Sequence, residues 1–378
     1  GQTVIAMLIQ LGGLGILTFT AFFIYLGGVK SNLKQTMLVK ELIQSDHISN
    51  VNHYLFQIII TTFVIELIGA VCLYAWWTKF QFDNYSLLFE SIFISISAFC
   101  NAGFSLHADS FSSQHADSIS ILMVAFLFIA GSLGIKALTE IRHYLVKYKW
   151  QHQNFRFSIQ TKIILRATVT LLISGTVLFL ISEFNASLSG LSLLAKIKAA
   201  FFNSAVSRTS GFNSVNFSSI TTVTALWFVA FMFIGGASGS TAGGIKVNTV
   251  SVLYLWLRAV LKGEKDCIYE GRSIALGTFH QAILVFTMST VIVFIFILLL
   301  IISEDFSFVD ITFEIVSAFA TVGVSKGITT DLSSWGKFIV SLTMFIGRIG
   351  VVSFALTLMD RQEKVVRVSY PTEGVMIG

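Results

Sequence analysis

The sequence predicts an all-α membrane protein of repeated helix–loop–helix units, and three observations predict it. Hydrophobic residues make up 54% of the 378 and charged residues 12%, against roughly 25% charged in an ordinary soluble domain. The apolar residues fall in blocks of the length, about 20, that crosses a hydrocarbon core. Short motifs recur at a nearly fixed interval along the chain. So little charge could not cover the surface of a soluble enzyme. One proline and three scattered cysteines exclude collagen-like, disordered and disulfide-built chains. An outer-membrane barrel would show ~10-residue alternating segments instead.

Seven blocks qualify as spans, near 1–27, 54–77, 118–139, 160–182, 223–257, 279–302 and 335–358. Between them, three segments match one another: Ser97-Ala98-Phe99-Cys100-Asn101-Ala102-Gly103-Phe104, Ala205-Val206-Ser207-Arg208-Thr209-Ser210-Gly211-Phe212 and Ser317-Ala318-Phe319-Ala320-Thr321-Val322-Gly323-Val324. Their glycines are 108 and 112 residues apart. Each segment follows an apolar stretch of about 12 residues, too short to span and suited to a re-entrant helix.

Each is followed by a span holding a G-x-x-G pair: Gly131 with Gly134, Gly236 with Gly239, Gly347 with Gly350. The first block carries the same pair, Gly12 and Gly15. Residues 1–30 therefore read as the second helix of a truncated repeat one, whose first helix and pore loop are expected upstream of residue 1. Repeat two is expected over 50–145, repeat three over 155–265, and repeat four with a short tail over 275–378. The complete protein would be four-fold pseudo-symmetric.

Charge orients the spans. The linkers carrying Lys30, Lys34 and Lys40, then Arg142, Lys147, Lys149 and Arg156, then Arg258, Lys262, Lys265 and Arg272, and the tail with Arg361, Lys364 and Arg367, alternate with loops that hold Lys79, Lys196, Lys198 and Lys326. Short Lys/Arg-rich loops stay cytoplasmic, so these linkers and the C-terminus are expected inside. They account for the net charge of +5 without a nucleic acid. Cys72, Cys100 and Cys267 show neither disulfide nor metal-site spacing.

Non-helical backbone at membrane depth survives only where protein buries it or water lines it, so several such loops around one axis imply a pore. A glycine admits φ > 0 and can turn successive carbonyls one way. Carbonyl rings replace the water shell of a monovalent cation, and helix C-termini aimed at the axis favour positive charge. The motifs hold no Asp or Glu, so this is not the carboxylate ring that suits divalent ions.

In the third second helix, Gly235-Gly236-Ala237-Ser238-Gly239-Ser240-Thr241-Ala242-Gly243-Gly244-Ile245-Lys246 carries five glycines in twelve residues, each costing about 1 kcal/mol relative to Ala in a helix. The helix is expected to break there. Its alternative is a small-residue packing seam, since Gly235, Gly239 and Gly243 recur every four residues. Arg348, inside the last span, must face protein or water. Its role remains open: a cation below the pore loops that opposes ion passage until the interrupted segment moves, or a structural ion pair or cap on loop carbonyls. Glu66 is expected to be structural, pairing with a basic group, and Arg208 to tie down its loop. The histidines at 47, 53, 107, 115, 143, 152 and 280 fall mainly in loops or at span ends.

Thr321-Val322-Gly323 looks like a reduced potassium-channel filter. Together with Asn101 to Phe104, Arg208 to Phe212 and the Gly235–Lys246 run, it makes the whole chain resemble the Trk/Ktr/HKT superfamily of potassium transporters, most nearly the Ktr-type membrane subunits. The tail from Tyr370-Pro371 to Gly378 shares the likeness.

The resemblance implies a selectivity filter in which Asn101, Ala102, Gly103, Thr209, Ser210, Gly211, Thr321, Val322 and Gly323 offer backbone carbonyls to potassium. It implies a gate made of Gly235, Gly236, Ala237, Ser238, Gly239, Ser240, Thr241, Ala242, Gly243, Gly244, Lys246 and Arg348. It further implies a homodimer in the bacterial inner membrane on a cytosolic nucleotide-binding regulatory ring of KtrA type. Potassium would be the transported ion, sodium a candidate co-ion, and no organic cofactor is expected.

Two rivals are weaker. Gly236-Ala237-Ser238-Gly239 matches the G-x-S-G of rhomboid proteases, but the candidate base, His280, lies at the cytoplasmic start of a later span and out of reach. A symporter with broken helices uses inverted repeats, whereas these repeats all run in one orientation.

Overall fold

The computed structural model describes residues 1–14, 51–80, 84–107, 110–111, 118–145 and 155–350. Lys30, Lys34, Lys40, Gly15, Lys147, Lys149 and the tail from 351 on, with the charges that orient them, lie outside the described residues. So do His47, His115 and His152.

After α1 (Gln2–Leu14), the helical pattern repeats three times. Repeat two holds α2 (Val51–Trp77), α3 (Asn84–Phe99), α4 (Ser118–Leu133) and α5 (Ile135–His143). Repeat three holds α6 (Ile159–Glu183), α7 (Leu193–Val206), α8 (Thr222–Phe233) and α9 (Val247–Leu261). A hairpin of β1 (Ile268–Tyr269) and β2 (Arg272–Ser273) leads to repeat four, with α10 (Leu276–Ser303), α11 (Phe308–Phe319) and α12 (Ser334–Ile349).

Length sorts these helices. α2, α6 and α10 have 27, 25 and 28 residues. At about 1.5 Å per residue each exceeds the ~30 Å hydrocarbon thickness. They are the described helices long and apolar enough to cross a membrane unbroken. α3, α7 and α11, with 16, 14 and 12 residues, cannot.

Burial follows the opposite order. Ile311 and every residue from Phe313 to Phe319 on α11 are buried. On α10, by contrast, Phe294 is 58% and Ile302 82% exposed, an apolar surface that only lipid or another chain would cover. The short helices are the core and the long ones the wall. Edge-on aromatic pairs lock the core: Phe111 on Phe212 at 5.5 Å, Phe128 on Phe202 at 5.6 Å, and Phe217 on Phe228 at 5.2 Å.

In each described repeat the C-terminal end of the long helix is tied to the start of the second helix. Trp77 Nε1 donates to Ser120 Oγ at 2.8 Å. The buried Glu183 carboxylate accepts from Thr221 N and Thr221 Oγ1 at 2.9 Å, Thr224 Oγ1 at 2.5 Å and Ser187 N at 3.1 Å. Glu304 accepts from Ser333 N at 3.2 Å and from the Ser333 hydroxyl. Four donors satisfy this one buried carboxylate, and the Thr221 hydroxyl that it holds caps α8 by accepting from Thr224 N at 3.3 Å.

The expected single span 118–139 is not one helix. It breaks at Gly134, where φ is 79°, and α5 turns 104° away from α4. The 223–257 block does divide, into α8 and α9, with Ile234–Lys246 outside any helix. These residues therefore do not form a helical packing seam.

Candidate functional site

The three matching segments share one backbone construction. Each short helix ends at Phe99, Val206 or Phe319, and the chain then reverses. Asn101 N bonds Ala98 O at 3.0 Å and Ala102 N bonds Ser97 O at 2.8 Å; Thr321 N bonds Ala318 O at 3.1 Å and Val322 N bonds Ser317 O at 2.9 Å. In all three the first and third residues of the triplet that ends in the motif glycine are left-handed. Asn101, Thr209 and Thr321 have φ of 52°, 72° and 53°, and Gly103, Gly211 and Gly323 have 71°, 76° and 85°. The residue between them is not left-handed in any of the three. For a β-branched threonine this is an outlier that only strong surrounding structure maintains.

Side chains close the turn. Ser97 Oγ donates to Phe104 O at 2.7 Å and Ser317 Oγ to Val324 O at 2.6 Å. Repeat three has Ala205 at that place. The loop after its triplet is held instead by Asn203 Nδ2 to Ser214 Oγ at 3.0 Å and by Phe111 N to Asn213 O at 2.9 Å.

The three loops meet. A Cβ built on Gly103 would lie 2.5 Å from Gly211 Cα and 2.8 Å from Ser210 O. One on Gly211 would lie 2.7 Å from Gly103 Cα and 3.2 Å from Val322 O, and one on Gly323 3.2 Å from Gly211 Cα. Side chains are excluded from the space between the loops, and carbonyls of the triplets border it.

The Ile234–Lys246 segment lies against this assembly. Gly235 N bonds Ile245 O at 2.9 Å and Val247 N bonds Gly236 O at 2.9 Å, so the segment leaves and rejoins the helix axis at one point. Its tip is stitched to the bend between α4 and α5: Ala237 N to Ser132 O at 2.9 Å, Thr241 N to Gly131 O at 3.4 Å, and Ile135 N to Gly239 O at 3.2 Å. Lys246 Nζ turns back to Ala242 O at 2.6 Å.

Arg348 donates to Thr241 O at 2.6 Å and to Gly12 O at 2.7 Å. It thus caps one carbonyl of the segment and one of α1, and joins α12 to both. The G-x-x-G pairs have a visible use: Gly131 and Gly347 accommodate the carbonyls of Phe99 and Phe319, which any Cβ would strike.

Two expectations change. Glu66 has no basic partner among the described residues; it accepts from Gln10 Nε2 at 3.0 Å and lies 3.7 Å from Cys100 Sγ. The Arg208 guanidinium is buried and makes no hydrogen bond among the described residues, so only its backbone, through Arg208 N to Ala205 O at 3.1 Å, holds the loop. His107 lies in a loop, as read, and there meets Glu90 at 2.7 Å. Missed altogether was a clamp around the β1–β2 hairpin, where Glu270 bonds Lys162 and meets Arg166 at 2.6 Å.

A model of the TrkH family, described as cation transport protein, matches residues 1–367. The chain is 37% identical over 381 residues to the Ktr system potassium uptake protein B of Bacillus subtilis, covering 100% of this chain and 83% of that one. It is 31% identical over 388 residues to the potassium/sodium uptake protein NtpJ of Enterococcus hirae, again covering 100% of this chain and 83% of that one. The crystal structure of the potassium transporter TrkH from Vibrio parahaemolyticus matches in fold with a TM-score of 0.68 at 18% identity, over 94% of this chain and 71% of that one.

Proposed function

The chain belongs to the TrkH family of cation transport proteins, a family of multi-pass membrane transporters and not of enzymes, and from that premise we propose that it is the potassium-conducting membrane subunit of a Ktr-type uptake system. The observation that most supports this reading is the convergence of Gly103, Gly211 and Gly323, all left-handed, from three repeats. Potassium arriving from outside exchanges its water shell for the carbonyls of Asn101 to Gly103, Thr209 to Gly211 and Thr321 to Gly323. The membrane potential then draws the ion inward at about 2.3 kcal/mol per 100 mV, so conduction is passive and channel-like.

Below the filter, residues 235–246 and Arg348 form the gate. Arg348 is fastened to the segment by its bond to Thr241 O, and a cation held there opposes ion passage until the segment moves. The C-terminus is cytoplasmic, and two copies act on a cytosolic nucleotide-binding ring. Sodium is the candidate co-ion, in line with the name of the Enterococcus relative, a potassium/sodium uptake protein.

Rubidium uptake into potassium-starved cells tests the reading, with Gly323→Ser run in parallel. Saturable uptake that sodium does not replace and that the variant weakens is expected. Folded protein without uptake, with or without a regulatory partner, overturns it. Deleting 237–243 is expected to raise flux without the regulator; unchanged flux in folded protein removes the gate assignment.

A further inference from the structure

The interrupted segment touches the filter as well as standing below it. We propose that Thr241 and Gly243 are specificity-determining residues: they prop the inner ends of two filter loops, so the preference for potassium over sodium depends on where the segment sits. This deepens the reading above and rests on its assignment of filter and gate.

In repeat two, Thr241 Oγ1 donates to Phe99 O at 3.2 Å. That carbonyl ends the pore helix two residues before the left-handed Asn101. In repeat four, a Cβ on Gly243 would strike the Thr321 hydroxyl and lie 2.9 Å from Ala320 O, and one on Gly244 would lie 3.2 Å from Ala320 Cβ. The segment therefore lies directly beneath the turn that holds Thr321 left-handed.

Repeat three is reached through repeat two. Asn101 Nδ2 is 3.3 Å from Thr209 Oγ1. With the amide in its alternative orientation, Asn101 donates to Phe128 O at 3.0 Å and Ala98 O at 3.1 Å, leaving its oxygen toward the Thr209 hydroxyl. Either way one amide joins two filter loops.

The segment cannot withdraw without releasing Phe99 O and uncovering Thr321. Discrimination between potassium and sodium depends on the number and placement of carbonyls around the ion, and those carbonyls follow on directly from the propped residues. A segment that were only a plug would leave the filter as it found it.

The test uses full-length protein in proteoliposomes, with its regulatory partner where one is required. Potassium and sodium compete against rubidium flux. Thr241→Val keeps the branched shape and removes the hydroxyl; Thr241→Ser keeps the hydroxyl. Thr241→Val is expected to lower the potassium-over-sodium ratio about five-fold, the loss of one hydrogen bond of ~1 kcal/mol, while Thr241→Ser retains the wild-type ratio. Raised flux with an unchanged ratio in Thr241→Val overturns the proposal and leaves the gate standing. Unchanged flux on deleting 237–243 defeats the gate reading separately.

If Thr241→Val does not fold, Thr241→Ala is read by ion-dependent melting of the solubilised protein. The potassium and sodium concentrations that half-maximally raise Tm give the same ratio, and a wild-type value overturns the proposal.

Discussion

A serine at Gly211 perturbs the proposed filter from within. The residue has φ of 76°, where an L-side chain costs roughly 1–2 kcal/mol. Its Cβ would lie 2.7 Å from Gly103 Cα and 3.2 Å from Val322 O. Both neighbours are backbone of other filter loops, so no flexible side-chain end can yield, and overpacking of this kind costs about 1–3 kcal/mol. Relief has to come from moving the loops apart. Each ~1.4 kcal/mol of the combined strain that falls on the potassium site changes affinity tenfold, so Gly211→Ser is expected to cut the potassium-over-sodium ratio at least tenfold. Competition of each ion against rubidium uptake in vesicles measures it. Gly190→Ala is the control, with φ of 83° and nothing within 4 Å: it carries the backbone cost without the crowding and keeps wild-type selectivity. A wild-type ratio in well-folded Gly211→Ser would refute the reasoning.

Three further outcomes are expected. Gly347→Ala drives a methyl against Phe319 O and destabilises by about 1–3 kcal/mol, whereas Gly277→Ala, at an open position in α10, is neutral or stabilising by up to ~1 kcal/mol; equal melting temperatures would contradict this. Arg348→Ala removes the bonds to Thr241 O and Gly12 O and raises rubidium flux without the regulator; flux that stays regulated in folded protein would free Arg348 of that role. The Lys162 hydrogen bond, with the nearby Lys162 and Arg166 charges, holds the Glu270 carboxyl below its ordinary range. A lowered carboxyl adds stability above its unfolded value of about 4.3 and loses it as pH falls through the folded value. The Tm penalty of Glu270→Gln is thus full at neutral pH and fades in acid below that value; a penalty that grew there would reverse the sign.

Much of the repeat pattern was legible because it is written twice, once in apolar blocks and once in glycine-centred motifs. The break at 235–246 could be read because five glycines together exceed what a helix tolerates. The turn at Gly134 could not. A lone glycine in an apolar run looks the same whether it bends the chain or admits a neighbour, and here its φ of 79° and the nearby Ser238 carbonyl combine both. The partners of Glu66 escaped for another reason: Gln10 is 56 residues away in sequence, and no local pattern joins them. Ser97 and Ser317 stood in the motif from the start, yet their use, reaching a carbonyl seven residues on, needs the turn to exist first. Arg208 suggested a clamp by its charge, and the structure instead buries that charge among groups that do not bond it.

The triplets Asn101-Ala102-Gly103, Thr209-Ser210-Gly211 and Thr321-Val322-Gly323 share a handedness rather than a composition. The three repeats therefore use one dihedral template. Within it the middle residue differs each time, the last is glycine each time, and the first touches something of its own: a neighbouring loop for Asn101, Gly243 for Thr321. Triplets exchanged between repeats would fit the same backbone mould while losing those contacts. The loops are interchangeable parts in shape and dedicated parts in connection.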